Sequence, residues 1–513
     1  MTSNCCGGGA TPDPDDLPPI SAERRTFIKG LGAVTGAAAF GGTAMATDTD
    51  SDEKDQEGEN DDEPRNGITF IHDGMGPTQV TGARYLKAYQ ADAEAFPMNA
   101  DPSVTPLHMD RHAAHGTMTV FPEDPNEVII DSAAGATSPG AVDCAGSATG
   151  IGAGVKTYNG AIGGIRDEDG QFAPVETILE AARDAGKATG LVTTTRITHA
   201  TPAAFAAHVP HRRMEDEIAE QYMDDAGVDV LLGGGKAFFD PDQREDGRDL
   251  LSDAEEQGYE IVETADELDG VEQAPVLGLF TDDDSHMDYY LDRQGETTQP
   301  GLVEMTNKAI ELLSGHDEGF FLMVEAGRVD HCGHKNDPAI LAEQLEGDEA
   351  VGACLDFARD DATPETLVVT TADHECGGFS LARDGIYNVD YEMIDSLEAS
   401  VTEGIIPALD EGMEGIEDLQ RIMSEVGGIE LADLDRNMSE MDLYRAIDLG
   451  PLYAEVPALR DLMNRQMLID FTSHGHTGVD VPLYADGPNA EFFNTARDNT
   501  DIANVMADAM RLK

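Results

Sequence analysis

The chain has 513 residues, with 101 Asp and Glu against 32 Lys and Arg, a formal charge of −69 at pH 7. That field excludes recruitment of nucleic acid or an anionic membrane surface by overall charge, because binding a polyphosphate needs clustered Lys and Arg. With 40% hydrophobic residues the chain can bury a large core, so wholesale disorder is excluded too.

Taken in chain order, the first element is Glu23-Arg24-Arg25-Thr26-Phe27-Ile28-Lys29, followed by a Gly/Ala-rich apolar stretch ending Ala44-Met45-Ala46. That is the layout of a twin-arginine export signal with a small-residue cleavage site, so residues 1–46 are expected to be a signal peptide and the product extracellular or bound at the cell surface. The apolar residues there are too small and too few for a permanent membrane span. Residues 47–65 hold ten acids and no apolar core residues, which predicts a disordered tether. Most of the acid excess lies beyond residue 65, in the part that must fold. A body so charged repels itself in dilute buffer, and the composition predicts a salt-adapted protein.

From Gly67 short apolar runs alternate with amphipathic stretches. Residues 68–71, 190–194, 228–232, 319–325 and 366–371 read as buried strands; 175–185, 302–314 and 341–359 have helical periodicity. This alternation predicts an α/β fold, a three-layer α/β/α sandwich with a mainly parallel central sheet, in residues 66–513. Residues 387–469, rich in Met, Glu and Asp, break the rhythm and read as an inserted cap segment. Of six Cys, only Cys144, Cys332, Cys354 and Cys376 lie beyond the signal. They form no CxxC pair and no disulfide framework, so a zinc site built on thiolates is not expected, and Cys332 and Cys376 read as packed thiols.

Several predicted strands end in metal-type ligands: His72-Asp73-Gly74-Met75-Gly76 after the first, Glu325 then Asp330-His331-Cys332-Gly333-His334 after another, and Asp373-His374 after residues 366–371. His474-Gly475-His476 adds imidazoles near the C-terminus. One Asp-His at a strand end is usually a cap or a core hydrogen bond. Four such segments in one chain put carboxylates where only a cation makes burial tolerable, and mixed Asp and His donors suit Zn²⁺ plus a harder, oxygen-bound ion.

These motifs resemble the alkaline phosphatase family. The resemblance runs from Gly67 to Lys513 and rests on HDGMG (72–76), GVKTYNGAIG (154–163), HATPAAFAAHVPHR (199–212), LLGGGKAFF (231–239), VEAGRVDHCGH (324–334), TTADH (370–374) and HGHTG (474–478). It implies two Zn²⁺ and one Mg²⁺: one zinc held by Asp330, His334 and His476, the second by Asp73, Asp373 and His374, and magnesium by Asp73, Thr201 and Glu325. His199 and His331 fall where members of the family differ at the third ion. The resemblance further implies a homodimer, small phosphate monoesters as substrates, and Arg212 as the phosphate clamp, a guanidinium being able to make two parallel bonds to phosphate oxygens. Arg213 beside it reads as a surface ion-pair residue. The reaction would pass through a covalent phosphoenzyme, with cations lowering the pKa of the nucleophile and stabilising the leaving oxygen.

The nucleophile is divided between two candidates. Residues 131–142 (DSAAGATSPGAV) and 143–154 (DCAGSATGIGAG) form a tandem pair. Residue identity favours Ser132 with Asp131 as its orienting neighbour, the family's pattern of Asp-Ser before small residues and Thr. The distance to GVKTYNGAIG favours Cys144 with Asp143. Pro139 would end a helix starting at Ser132, whereas a thiolate is soft and binds zinc tightly. The sequence favours Ser132 and keeps Cys144 as the alternative. A phosphodiesterase or sulfate esterase, or a silent phosphate-binding protein, are the rival functions.

Overall fold

The computed structural model describes residues 64–512 apart from 124–139, 296, 364, 413–415 and 431–456. Among these residues ten strands form one sheet: β1 (Asn66–His72), β2 (Ala114–Thr119), β3 (Ala188–Arg196), β4 (Val230–Gly234), β5 (Glu260–Val262), β6 (Val276–Leu279), β7 (Phe320–Ala326), β8 (Thr366–Thr371), β9 (Val481–Asp486) and β10 (Ala496–Asp498), with α1 (Pro77–Ala91) following β1. Their spatial order is β10-β2-β9-β8-β1-β7-β3-β4-β6-β5. Only β9 runs antiparallel to its neighbours β8 and β2.

Successive residues of the central strands point to opposite faces, and both faces are apolar. Ile71, Leu191, Leu231, Phe321, Met323 and Val369 face one core, packed with Ala145 and Ile151 of α2 (Cys144–Ala153), Leu179 and Ala182 of α3 (Ile178–Asp184), and Ala203 and Phe205 of α4 (Ala200–Ala206). Ile68, Phe70, Val192, Leu322, Val324 and Val368 face the other, against α5 (Leu302–Ser314) and α7 (Ile340–Ala358). A strand buried on both sides reads as a continuous apolar run, which is why these strands are visible in sequence. The layers are those of the expected sandwich.

Element ends follow local chemistry. α3 starts three residues later than the apolar periodicity suggests, because Thr177 and Glu180 form a reciprocal cap: the Thr177 hydroxyl accepts from the Glu180 N–H at 3.2 Å, and a Glu180 carboxylate oxygen accepts from the Thr177 N–H at 2.8 Å. In the stretch expected as an insertion, helices at Tyr391–Asp395, Ile406–Gly412, Ile416–Glu425 and Pro457–Met467 are described. Ile394, Val401, Met423 and Met463 pack on Val329, Ile340 and Leu341, so this segment backs α6 (Arg328–Lys335), the helix that carries Asp330 and His334.

Candidate active site

Parallel register gathers the acids at one end of the sheet. Ile71 of β1 pairs with Glu325 of β7 and with Thr371 of β8, and Thr193 of β3 pairs with Glu325. Asp73, Glu325, Asp373 and His374 therefore emerge together, and all four are fully buried. α6 begins just after β7 and puts Asp330 and His334 one helical turn apart on the same face. A two-residue antiparallel pairing of Glu375–Cys376 with His476–Thr477 brings His476 alongside. At the turn after β1, Gly74 has φ 83°, and a Cβ there would meet the Cα of Asp330 at 2.6 Å. Only glycine permits both the conformation and the approach.

Three donor sets result. In the first, Nε2 of His334 lies 3.0 Å from Nε2 of His476, and each is 3.4 Å from an Asp330 oxygen. Their Nδ1 atoms face the carbonyls of His474 and Val142, each at 2.7 Å, so Nδ1 carries a proton and both Nε2 atoms are turned toward Asp330. In the second, Nε2 of His374 is 3.1 Å from Asp373 and 3.6 Å from Asp73, and its ring stacks on His476 with centroids 3.4 Å apart. The third brings donor atoms of Asp73, His199 and Glu325 within 4.8 Å of one another, with the Thr201 hydroxyl beside Glu325. Cysteines also enter. Cys376 groups with the first set, and Cys144 groups both with His374 and His476 and with Asp73, Asp373 and His374.

The electrostatics ask for cations. Both oxygens of Asp73, Oδ1 of Asp330, Oδ2 of Asp373, Oε1 of Glu325, Nδ1 of His374 and Oγ1 of Thr201 are buried with no hydrogen-bond partner. Each such group costs about 1–3 kcal/mol, more when charged. Burial, then repulsion from Asp373, Asp330 and Glu325, raises the Asp73 carboxyl well above its usual range. Burial and then Asp330 push Asp373 up to about 7. Burial, reinforced by His476, keeps the His374 imidazole neutral and so available as a ligand. Asp330 differs: burial opposes its ionisation, but His334 and His476 together hold its carboxyl well below the ordinary range. The residues fit divalent cations by donor type, burial and lack of other partners.

Arg212 closes the site from the other side. Its Nη1 donates to Oδ2 of Asp143 at 3.1 Å, its Nη2 to Nε2 of His199 at 2.7 Å, and its side chain also meets Cys144. Asp143 caps α2, with Oδ1 accepting from the N–H groups of Gly146 at 2.9 Å and Gly160 at 3.0 Å. A cavity of about 560 Å³ opens here, lined among others by Asp143, Cys144, Arg212, Asp330, His334 and His476.

Asp73, His199, Thr201, Glu325, Asp330, His334, Asp373, His374 and His476 thus come together with Arg212 and Cys144; Ser132 and Asp131 lie outside the described residues. Arg213 is exposed at the cavity rim, without a carboxylate partner among the described residues, rather than in the ion pair expected. His286 was not anticipated. Its ring centroid is 4.2 Å from that of His331 and 5.3 Å from that of His199, yet it sits in a loop after Asp282-Asp283-Asp284 with no motif to mark it.

The family model for alkaline phosphatase matches residues 64–512. The chain belongs to the alkaline phosphatase family. Alkaline phosphatase 3 of Bacillus subtilis is 35% identical over 493 residues, spanning 93% of this chain and 96% of its own. The repressible alkaline phosphatase of Saccharomyces cerevisiae is 34% identical over 459 residues, 82% of this chain and 75% of its own. Among solved structures, the cold-active alkaline phosphatase of a psychrophilic Shewanella species matches with TM-score 0.71 and 28% identity, over 87% of this chain and 99% of that one. The alkaline phosphatase of Thermus thermophilus matches with TM-score 0.71 and 27% identity, over 89% and 94%. This phosphatase is therefore a metal-binding hydrolase of phosphate monoesters, which sets aside the esterase and silent-binder alternatives. No helix among its described residues is long and apolar enough to cross a membrane.

Proposed function

We propose that the phosphatase acts on small phosphate monoesters with two Zn²⁺, one at Asp330, His334 and His476 and one at Asp73, Asp373 and His374, and with Mg²⁺ at Asp73, Thr201 and Glu325 beside His199. The observation that carries this reading is the convergence of buried, unpartnered carboxylate and imidazole donors on the space in front of Arg212. When bound, such cations supply positive charge that activates a nucleophile and stabilises the leaving oxygen.

The chain's own residues bind and orient the ester. Each terminal nitrogen of Arg212 keeps a second N–H beyond those given to Asp143 and His199, so the guanidinium can hold two phosphate oxygens. Asp143 fixes that fork and, as the cap of α2, also fixes the helix whose positive N-terminal end faces the cavity. A phosphoryl group is thereby oriented with its leaving group toward the opening, and a covalent phosphoenzyme follows.

Export by the twin-arginine route to the exterior or cell surface, salt adaptation and homodimerisation belong to the same proposal. Arg24-Arg25 with the stretch after it supports the first and the −69 charge the second; family resemblance supports the third. The test compares a chromogenic phosphate monoester with its diester, before and after chelation, alongside metal content by mass spectrometry. Monoester turnover that requires zinc and magnesium is expected. Turnover undiminished after complete chelation, or preference for the diester, overturns it.

A further inference from the structure

We infer that Cys144 is the nucleophile of this phosphatase and carries the phosphoryl group as an S-phosphocysteine. The inference rests on the phosphomonoesterase reading and goes beyond it by naming the attacking atom. Three observations support it.

The first is position. Cys144 is the first residue of α2, and its sulfur falls within 4.8 Å of donor atoms from two groups that share His374, one with His476 and one with Asp73 and Asp373. The second is the unpartnered polar atoms around it: the Asp73 oxygens, Oδ2 of Asp373 and Nδ1 of His374 are buried and without hydrogen bonds, which marks this space as made for a ligand. The third is chemical exclusion. Among the described residues lining the cavity, Cys144 alone bears a thiol or hydroxyl. Ser147, one turn further along α2, is committed elsewhere, its hydroxyl donating to the carbonyl of Asp373 at 2.6 Å and accepting from Asn499 at 3.1 Å. Arg212 bonds Asp143, the residue before Cys144, and both Arg212 and Cys144 line the cavity, so a phosphate held there by the guanidinium has the sulfur within the same space.

The step balances. Burial pushes the Cys144 thiol up, so its proton passes to water in the cavity only as the sulfur attacks. The sulfur pair attacks phosphorus, an S–P bond forms, and the P–O bond to the leaving group breaks with its electrons on the alkoxide, which takes a proton from water. Water next attacks phosphorus, the S–P pair returns to sulfur and takes up a proton from that water, and inorganic phosphate leaves. Two displacements retain configuration at phosphorus.

The full-length enzyme, loaded with zinc and magnesium and acid-quenched during turnover of p-nitrophenyl phosphate, is expected to carry phosphate on the Cys144 peptide, labile to iodine. Cys144→Ala is expected to lose at least about 10²-fold in turnover. Cys144→Ser is expected to keep measurable turnover and to move the adduct to an iodine-stable oxygen ester. If Cys144→Ala does not fold, a chiral monoester given to the parent enzyme decides: retention together with protection of Cys144 from iodoacetamide by inorganic phosphate is expected. Inversion, an adduct on Ser132, or undiminished turnover in Cys144→Ala overturns the inference while leaving the phosphomonoesterase reading intact. Absence of monoester hydrolysis by the parent enzyme would instead sink that reading.

Discussion

Arg212 and Asp143 are joined Nη1 to Oδ2 at 3.1 Å, and the same carboxylate caps the helix that begins at Cys144. One aspartate therefore aims both the phosphate fork and the helix end. Arg212→Lys removes the fork while keeping the charge, and a hydrogen bond to a charged group is worth about 1.5–3 kcal/mol, so kcat/KM should fall about 10- to 150-fold. Asp143→Ala should raise KM for the same ester in steady-state assays while zinc content is unchanged; an unchanged KM would mean that Arg212 is oriented by His199 alone.

Metal removal should reverse the sign of the pH response. In the metal-free protein the Asp373 carboxyl is pushed up to about 7 from 3.8, by burial and then by Asp330, and Asp73 is raised too. A raised carboxyl gives stability that is full below the unfolded pKa and lost as pH rises through the folded one. The chelated protein should therefore melt at progressively lower temperature from about pH 4 to about pH 7 on this account. Zinc affinity should rise over that window as protons are displaced. Calorimetry of the chelated and reloaded protein across that range reads both; a chelated protein that gains stability toward neutrality would contradict the argument.

Gly74→Ala tests the close approach of the β1 turn to α6. With φ 83° and Asp330 Cα 2.6 Å from the added carbon, the variant must strain its backbone or displace Asp330. Strain alone costs about 1–3 kcal/mol. Denaturant midpoints should drop accordingly, and the zinc bound per chain should fall because Asp330 moves. Wild-type zinc content in a destabilised variant would confine the effect to the turn.

The −69 charge should make salt an activator. Near 1 M ionic strength the Debye length falls to about 3 Å, which screens both the self-repulsion of the acid coat and the repulsion of the dianionic ester. kcat/KM and melting temperature should both rise from dilute buffer to molar KCl. An optimum near zero salt would end the salt-adaptation reading.

Much of this protein is legible in its sequence because its central strands are buried on both faces. Runs such as Phe320–Val324 and Leu367–Val369 have no polar face to confuse them, and the acid or imidazole that follows each run has no structural excuse short of a cation. Asp73, Glu325, Asp373 and His374 could be found for that reason, and Asp330, His334 and His476 from the Asp-His and His-Gly-His segments that hold them. His286 could not, since a loop imidazole acquires meaning only from the rings it meets. Cys376 looked like a packed thiol, and the pairing of Glu375–Cys376 with His476–Thr477 set it among the donors of the first set.

The tandem segments 131–142 and 143–154 show where sequence stops. Composition and local pattern supplied two candidate nucleophiles, because each copy offers an acid, a nucleophilic side chain and small residues. Tertiary structure gave one of them a setting: the register of β1, β7 and β8 gathers carboxylates some 250 to 300 residues apart, as Ile71 with Glu325 and Thr371 shows, and the packing of α2 against α4 brings Cys144 to that end of the sheet. The sequence by itself determined the donor inventory and the layered fold. Only long-range pairing, whose geometry no local pattern encodes, decided which of those donors share a space with Arg212 and Cys144.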